Sequence, residues 1–559
     1  MVKKSNKKNN LSFFKKLSRW FDENFLFIFS TFLLAFIPLY PKIPLFDIIP
    51  GYIVRVRFED ILIAVAGLFW VIQIIRKKTT WKSPLTKLIS TYALVGLFSL
   101  LSAVFIIHTI PLELIHIGKS SLHLLRYLEY FFLFILMYSS INTQKQAKTI
   151  IWSILTTVFL ISFYGLGQKY WYWPVYSTMN REFSKGIRLY LTEHARVQST
   201  FGGHYDLGAY LLIMLPIILS SAFLSKKKWK KRIFHLVHAF GLWLLIMSAS
   251  RASFASYGLA MLLVLIFLAL KEKTWKKKIN SFFKKTLGMG LLTGSLMLAF
   301  GGDMSERILQ VFDAYPEISN TYHSINAERK KGRDQIYDWM GIIELKPPEN
   351  SIGFDNTELE SVLTATDQQP TTRPSDVYKD IPDLVEIATI SADGTKTIIR
   401  VERERTWSDN ALKYGLSLAI RLDTLWPNAI KGFMKNPLLG SGYATLNKET
   451  AYHFTEAEST DNNYLRILGE TGLLGFLTFF GIIFISLRYS FKYIFDKDKL
   501  KASLAIGLVA GSIGLMANAS YIDVYAASKV AFTYWGIVGV ILAVLSLPKM
   551  KSLLNPDKK

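Results

Sequence analysis

The sequence predicts an all-α polytopic membrane protein, with about twelve transmembrane helices and one large extracytoplasmic loop of mixed helical and β-hairpin character. Three observations carry this expectation. Of 559 residues, 51% are hydrophobic, and the mean hydropathy is +0.26. Apolar runs recur at roughly 18–22 residues, the length that crosses about 30 Å of hydrocarbon as a self-satisfied helix. The basic residues sit in short clusters between those runs.

In chain order, spans are expected near 25–41, 60–75, 86–107, 122–140, 149–167, 206–224, 233–249, 253–270, 286–300, 472–487, 502–519 and 528–547. This divides the chain into an N-terminal bundle of about nine spans (1–300), a large loop domain (301–465), and about three further spans with a basic tail (466–559). The basic start, with Lys3, Lys4, Lys7, Lys8, Lys15, Lys16 and Arg19 before a long apolar run, reads as a retained first span rather than a cleavable signal.

Charge sets the expected orientation. The net charge is +24, which on a soluble protein would point to nucleic acid. Here, alternate connections hold roughly 36 Lys and Arg, all on one side if the span count is even, so topology explains the charge and no nucleic acid partner is expected. Both termini are then cytoplasmic, in a cytoplasmic (inner) membrane, and the large loop is extracytoplasmic. That loop carries about 25 of the 42 acidic residues, the reverse of the basic side. The chain has no cysteine, which excludes disulfides, thiolate catalysis and cysteine-ligated metals.

Within the loop, residues 304–343 and 407–434 have helical periodicity. Residues 347–376 are rich in Pro, Thr and Asp and are expected to be irregular. Residues 384–390 and 395–401 alternate, with Ala392-Asp393-Gly394 between them, and predict a β-hairpin.

Ionisable residues at span ends are the candidates for chemistry, because burying them is costly. Arg251 interrupts two apolar runs in Met-Ser-Ala-Ser-Arg-Ala-Ser. It either serves a ligand or snorkels to headgroups; positive charge is disfavoured on this side, which favours a ligand. Arg196 precedes Ser199-Thr200-Phe201-Gly202-Gly203-His204, where a glycine pair lets backbone approach an anion or simply makes a turn. Arg421, in Arg421-Leu422-Asp423, leads to Asn436-Pro437-Leu438-Leu439-Gly440-Ser441-Gly442, and then to Asp461-Asn462-Asn463-Tyr464-Leu465-Arg466 and Gly469-Glu470-Thr471-Gly472. Asp461 caps the following helix or, with Glu470, offers a carboxylate general base. By parity, Arg196, Arg251, Arg421 and Asp461 share one membrane face. Arginines converging there suit a phosphate or pyrophosphate, which the guanidinium fork binds bidentately. Arg126 and Glu129, inside the fourth span, are spaced to pair on one helix face.

At these residues the chain resembles the O-antigen ligase and O-antigen polymerase superfamily of membrane glycosyltransferases. The matching text is Arg196 with Thr200-Phe201-Gly202, Ser250-Arg251-Ala252-Ser253, Asn436 through Gly442, Asp461 through Leu465, and Gly469 through Gly475. The resemblance implies metal-independent, cofactor-free transfer of a glycan from an undecaprenyl pyrophosphate carrier. The acceptor hydroxyl would belong to a glycan, lipid or protein, at the outer face of the cytoplasmic membrane among its lipids. It assigns donor binding to Arg196 and Arg251, with Arg421, Asn462 and His204 beside them. Ligases often carry His-Asn where this chain has Asp461-Asn462, so the base here is Asp461, His453 or Glu470, with Glu456 and Glu458 near. The Asp form tilts the reading towards polymerisation. The alternative is a transporter or flippase for a lipid-linked or anionic solute, which would want charges nearer the bilayer midplane.

Overall fold

Among the described residues, twelve helices of 18 residues or more make up the body of the molecule. The computed structural model describes residues 3–48, 55–179, 183–192, 195–309, 353–354, 383–390, 396–403, 406–446 and 459–554. The N-terminal helices are α1 (Lys3–Leu39), α2 (Phe58–Ile75), α3 (Thr86–Phe105), α4 (Leu114–Ser140), α5 (Gln144–Tyr170), α6 (His204–Leu224), α7 (Lys228–Met247), α8 (Arg251–Leu270) and α9 (Trp275–Phe300). A short α10 (Gly302–Leu309) follows, then α11 (Asp409–Tyr414), α12 (Leu416–Ile420), a π-turn (Arg421–Leu425) and α13 (Trp426–Lys435). Three long helices close the chain: α14 (Asn463–Phe491), α15 (Lys499–Ala519) and α16 (Ser528–Leu554).

Ten of the long helices are apolar enough, over 18 residues, to cross a membrane. The other two are α7 and α9. Lys230, Lys231 and Arg232 lie in the first turns of α7, and Lys284 and Lys285 lie well inside α9. The protein is thus an all-α polytopic membrane protein, and each expected span falls on one of the twelve long helices among the described residues.

α1, α4, α9 and α14 all begin well before hydropathy indicates, α1 at 3 rather than 25 and α9 at 275 rather than 286. α4 starts at 114 rather than 122, because hydropathy counts against the polar residues of its second turn, which packing covers. Lys119 and Ser120 are almost fully covered, and the Ser120 hydroxyl donates to the Tyr443 carbonyl at 2.8 Å. α14 starts at 463 rather than 472. Asn462 is its N-cap, accepting from Tyr464 N–H (3.0 Å) and Leu465 N–H (3.1 Å), so the capping role weighed for Asp461 belongs to its neighbour.

α6, α15 and α16 form the interior, and every residue of Ser528–Leu547 is inside the protein. Close approach there depends on small residues. A side chain at Gly507 would strike the Ile217 backbone, and one at Gly539 would strike the Phe134 carbonyl. The Ser220 hydroxyl crosses from α6 to the Ser503 carbonyl of α15 at 2.7 Å.

Small sheets decorate one end of the bundle. β1 (Pro44–Asp47) and β2 (Arg55–Arg57) pair antiparallel between α1 and α2. β3 (Tyr190–Leu191) pairs parallel with β4 (Gly353–Phe354), the latter inside the stretch expected to be irregular. β5 (Asp383–Ile390) and β6 (Lys396–Arg403) form the expected hairpin, with Ile387 opposite Ile399; its turn lies outside the described residues. So does most of the helix expected over 304–343, of which α10 is the described part. The helix expected over 407–434 is present but broken, because Gly415 has φ +80 between α11 and α12.

Candidate functional site

One end of the bundle is held together by buried charge. Lys529, at the start of α16, is fully covered, and its ammonium donates to the carbonyls of Tyr40, Thr200 (2.8 Å) and Pro38 (3.3 Å). It thereby ties the exit of α1 and the loop before α6 to α16. Lys42 is paired with Asp206 of α6 at 2.9 Å, and Arg57 of β2 donates to the Ser528 hydroxyl at 3.1 Å. Arg126 of α4 pairs with Glu129 (2.8 Å), as its spacing suggested, and also with Asp60 of α2 (2.5 Å).

The two glycine-rich strings of the sequence form one latch. Gly472 has φ +64 and breaks α14. The break turns backbone groups outward, and the Asn436–Gly442 string meets them. Ser441 N–H donates to Gly469 O (2.8 Å) and Gly442 N–H to Glu470 O (2.9 Å). Leu473 N–H donates to Pro437 O (2.9 Å) and Leu474 N–H to Leu438 O (3.2 Å). The contact is so close that a side chain at Gly440 (φ +71) would strike the Glu470 backbone, and one at Gly472 the Leu438 backbone. The strings are thus a joint between the loop domain and the membrane helices.

That joint carries Glu470. It is 2% exposed, accepts from Ala444 N–H at 3.2 Å and lies 3.6 Å from Arg466. Its carboxylate is enclosed within the joint.

Asp461 sits differently. It occupies a left-handed turn (φ +52) just before α14, with its side chain 28% exposed. Arg421, from the π-turn, reaches Asp461 Oδ2 at 2.8 Å. The Arg421 guanidinium lies 4.0 Å from the Tyr521 ring centroid, a cation–π stack, and donates to Ser417 O (2.6 Å) and Ser417 Oγ (2.8 Å). The buried Arg421 Nε has no hydrogen-bond partner among the described residues. Burial pushes the Asp461 carboxyl above its usual value; the Arg421 charge and the Ser459 hydroxyl pull the other way and do not cancel it.

A residue missed in the sequence holds this turn. Asp523, between α15 and α16, accepts from Thr460 N–H (2.8 Å), Asn462 N–H (3.0 Å), Ser459 Oγ (2.8 Å) and Arg466 Nη1 (3.0 Å). Its signal was legible: it is the lone carboxylate in a short break between two apolar spans. Asn462, a candidate binding residue, spends its carbonyl on the cap of α14.

Arg196 donates to His204 Nε2 and lies 6.0 Å from the Tyr205 ring. His204 is buried and opens α6. The Gly202–Gly203 pair is packed by the chain itself: side chains there would meet Thr178 and Lys42, and Met179. The turn reading applies to the pair. Arg251 is the first residue of α8, half-buried. Val197 N–H donates to Met247 O at 3.2 Å, tying the Arg196 segment to the turn before Arg251. From there Ser253 accepts from Asn518 Nδ2 (3.2 Å), Tyr521 N–H donates to Asn518 O (3.0 Å), and Tyr521 carries Arg421. The segments that carry Arg196, Arg251, Arg421 and Asp461 are therefore tied together through contacts of their neighbouring residues. His453, Glu456 and Glu458 lie outside the described residues.

A family model described as O-antigen ligase matches residues 387–480. The match contains all but the start of the hairpin, with Arg421, the glycine latch and Asp461, and it supports the resemblance to the O-antigen ligase and polymerase superfamily. Arg196 and Arg251 lie outside it. No curated protein matches the chain.

Proposed function

We propose that this chain is a membrane glycosyltransferase of cell-surface polysaccharide assembly, acting at the extracytoplasmic face of the cytoplasmic membrane on a glycan carried by undecaprenyl pyrophosphate. The observation that carries the reading is the Arg421–Asp461 pair, set over Tyr521 and linked by contacts to Arg196 and Arg251. The O-antigen ligase match over Arg421 and Asp461 agrees with it, and the basic connections at the opposite helix ends favour this end as the outer one.

In this reading the donor pyrophosphate lies against Arg196 and Arg251. As the acceptor oxygen bonds to the sugar anomeric carbon, the bond from that carbon to the phosphate oxygen breaks. The charge that develops on the leaving pyrophosphate is stabilised by the guanidinium forks. Asp461 takes the acceptor hydroxyl proton. A carboxyl raised by burial is a stronger base than an exposed one, provided it is ionised when the acceptor binds. Arg421 holds it in that form and orients it. Asp523 positions the turn through backbone N–H groups.

The test is surface glycan run on a gel from the native host carrying Arg196→Ala, Arg251→Ala or Asp461→Asn at normal protein level. Loss of long chains is expected in each. Accumulation of single lipid-linked repeats marks a polymerase, and long chains retained on the carrier mark a ligase. Normal glycan in both arginine variants overturns the donor assignment; normal glycan in Asp461→Asn overturns the base.

A further inference from the structure

A cavity of about 540 Å³ lies between α3 and the glycine latch. Phe98, Leu101 and Phe105 of α3 form one wall, and Leu438, Leu439 and Leu474 the other. Its two polar side chains are already bonded. Asn436 Nδ2 donates to Ser102 Oγ at 3.0 Å, and Asn436 Oδ1 accepts from the N–H groups of Leu438 (3.2 Å) and Leu439 (3.1 Å). A water here would find no partner, and an apolar space of this kind stays dry. The spacing of the walls is fixed. Beside the cavity, Ser99 Oγ donates to Glu470 O (3.0 Å) and Thr109 Oγ1 to Ser441 O (2.5 Å), which pins α3 and its exit to the latch. Phe98 and Leu438 are more than half exposed, so the cavity opens sideways on the flank of two spanning helices, α3 and α14.

The helix that leads into the latch has a matching surface. α13 turns Ala429 and Gly432 inward, and a side chain at Gly432 would strike Leu446 and Ser441. On its outer side Ile430 and Met434 form an apolar stripe, 50% and 69% exposed. Lys431 and Lys435 form an exposed basic stripe next to it, and α13 has no acidic residue. An apolar stripe flanked by lysines is the pattern of a helix lying in a membrane interface. Lys435 directly precedes Asn436, so the basic stripe ends at the cavity.

We propose that this face binds an anionic phospholipid of the surrounding bilayer, with an acyl chain in the cavity between α3 and the latch and its phosphate against Lys431 and Lys435. Continuity with the spanning helices gives the chain its entry, and the lysines select the charge. The lipid fills a space that neither water nor the protein fills, and so braces the 436–442 segment of the latch. α13 follows the π-turn that carries Arg421, so the same lipid steadies that turn. The proposal goes beyond the functional reading and does not depend on it, because binding here needs neither a glycan nor its carrier.

The test places the full chain in phosphatidylcholine nanodiscs with increasing phosphatidylglycerol that carries a diazirine on its acyl chain. Photolabel is expected to saturate at residues 98–106 and 436–439, and excess undecaprenyl phosphate should leave it in place. Lys431→Gln/Lys435→Gln should raise the half-saturating lipid fraction about fivefold per lysine at low salt, and Lys431→Arg/Lys435→Arg should not. Leu101→Trp, which fills the cavity from the α3 side, should abolish the saturable label. The chain has no cysteine, so a nitroxide on Met434→Cys reports one position. Oxygen should reach it more readily than a water-soluble nickel complex. Label that never saturates, or that is unchanged in Lys431→Gln/Lys435→Gln, overturns the site. Displacement by undecaprenyl phosphate assigns the cavity to that carrier and overturns the phospholipid. A nitroxide open to nickel puts α13 in water, and one closed to both reagents puts protein over it; either overturns the docking.

Discussion

Asp523 and Asp461 lie 62 positions apart in the chain, yet the first holds the second. The Asp523 carboxylate binds the backbone N–H groups on both sides of Asp461, at Thr460 and Asn462, while Arg466 neutralises it at 3.0 Å. A carboxylate presented on a turn is thus anchored by a carboxylate buried behind it.

Removing that anchor should disable the site before it unfolds the protein. In Asp523→Ala, the turn loses its acceptor and Arg466 keeps only Glu470, at a cost of about 3 kcal/mol. Glycan transfer should fall at least about a hundredfold, as misplacing a base by an ångström does. Asp523→Asn, which keeps an acceptor oxygen, should retain more. Single-turnover assays and thermal melts in detergent measure both; equal activity of Asp523→Ala and wild type would remove Asp523 from the positioning role.

The glycine latch should be intolerant of side chains. Gly472→Ala and Gly440→Ala place a Cβ against backbone at positive φ, with expected losses of about 2–4 kcal/mol each. Gly481→Ala, in the same α14 with open space around it, should be neutral or stabilise by up to about 1 kcal/mol. Melting temperatures of the three variants test the contrast.

Acid should inhibit transfer at a higher pH than an ordinary aspartate would set. The base must be ionised, and burial raises the Asp461 pKa, so the rate falls as pH drops through that raised value. Arg421 pulls the value down. Arg421→Gln should therefore shift the acid limb of the pH–rate profile to higher pH, besides lowering the rate. A shift to lower pH would contradict the assigned role of Arg421.

Lys529→Met should loosen the whole functional end. It keeps the volume but leaves the buried carbonyls of Pro38, Tyr40 and Thr200 without their shared donor, at about 1–3 kcal/mol in total. Hydrogen exchange should rise at the 38–42 and 199–204 segments together; a rise confined to one would break the proposed link.

The sequence by itself determined the helices and the residue types that gather at one end. Apolar runs of bilayer length have one low-energy state in lipid, so their number and order follow from local composition. Even the hairpin of the large loop was legible, because alternation is a local signal. The tertiary structure decided what each polar residue does. Glu470 and Asp461 read alike in the chain, but the kink at Gly472 encloses one in the latch and leaves the other at the surface beside Arg421. The glycines of the Asn436–Gly442 string show no purpose until Gly469–Leu474 is laid against them. Asp523 and Lys529 each tie together segments far apart in the chain. The lone carboxylate between two spans can be noticed in the sequence, but not what it or Lys529 holds, because their energy comes from partners that only the packed bundle supplies.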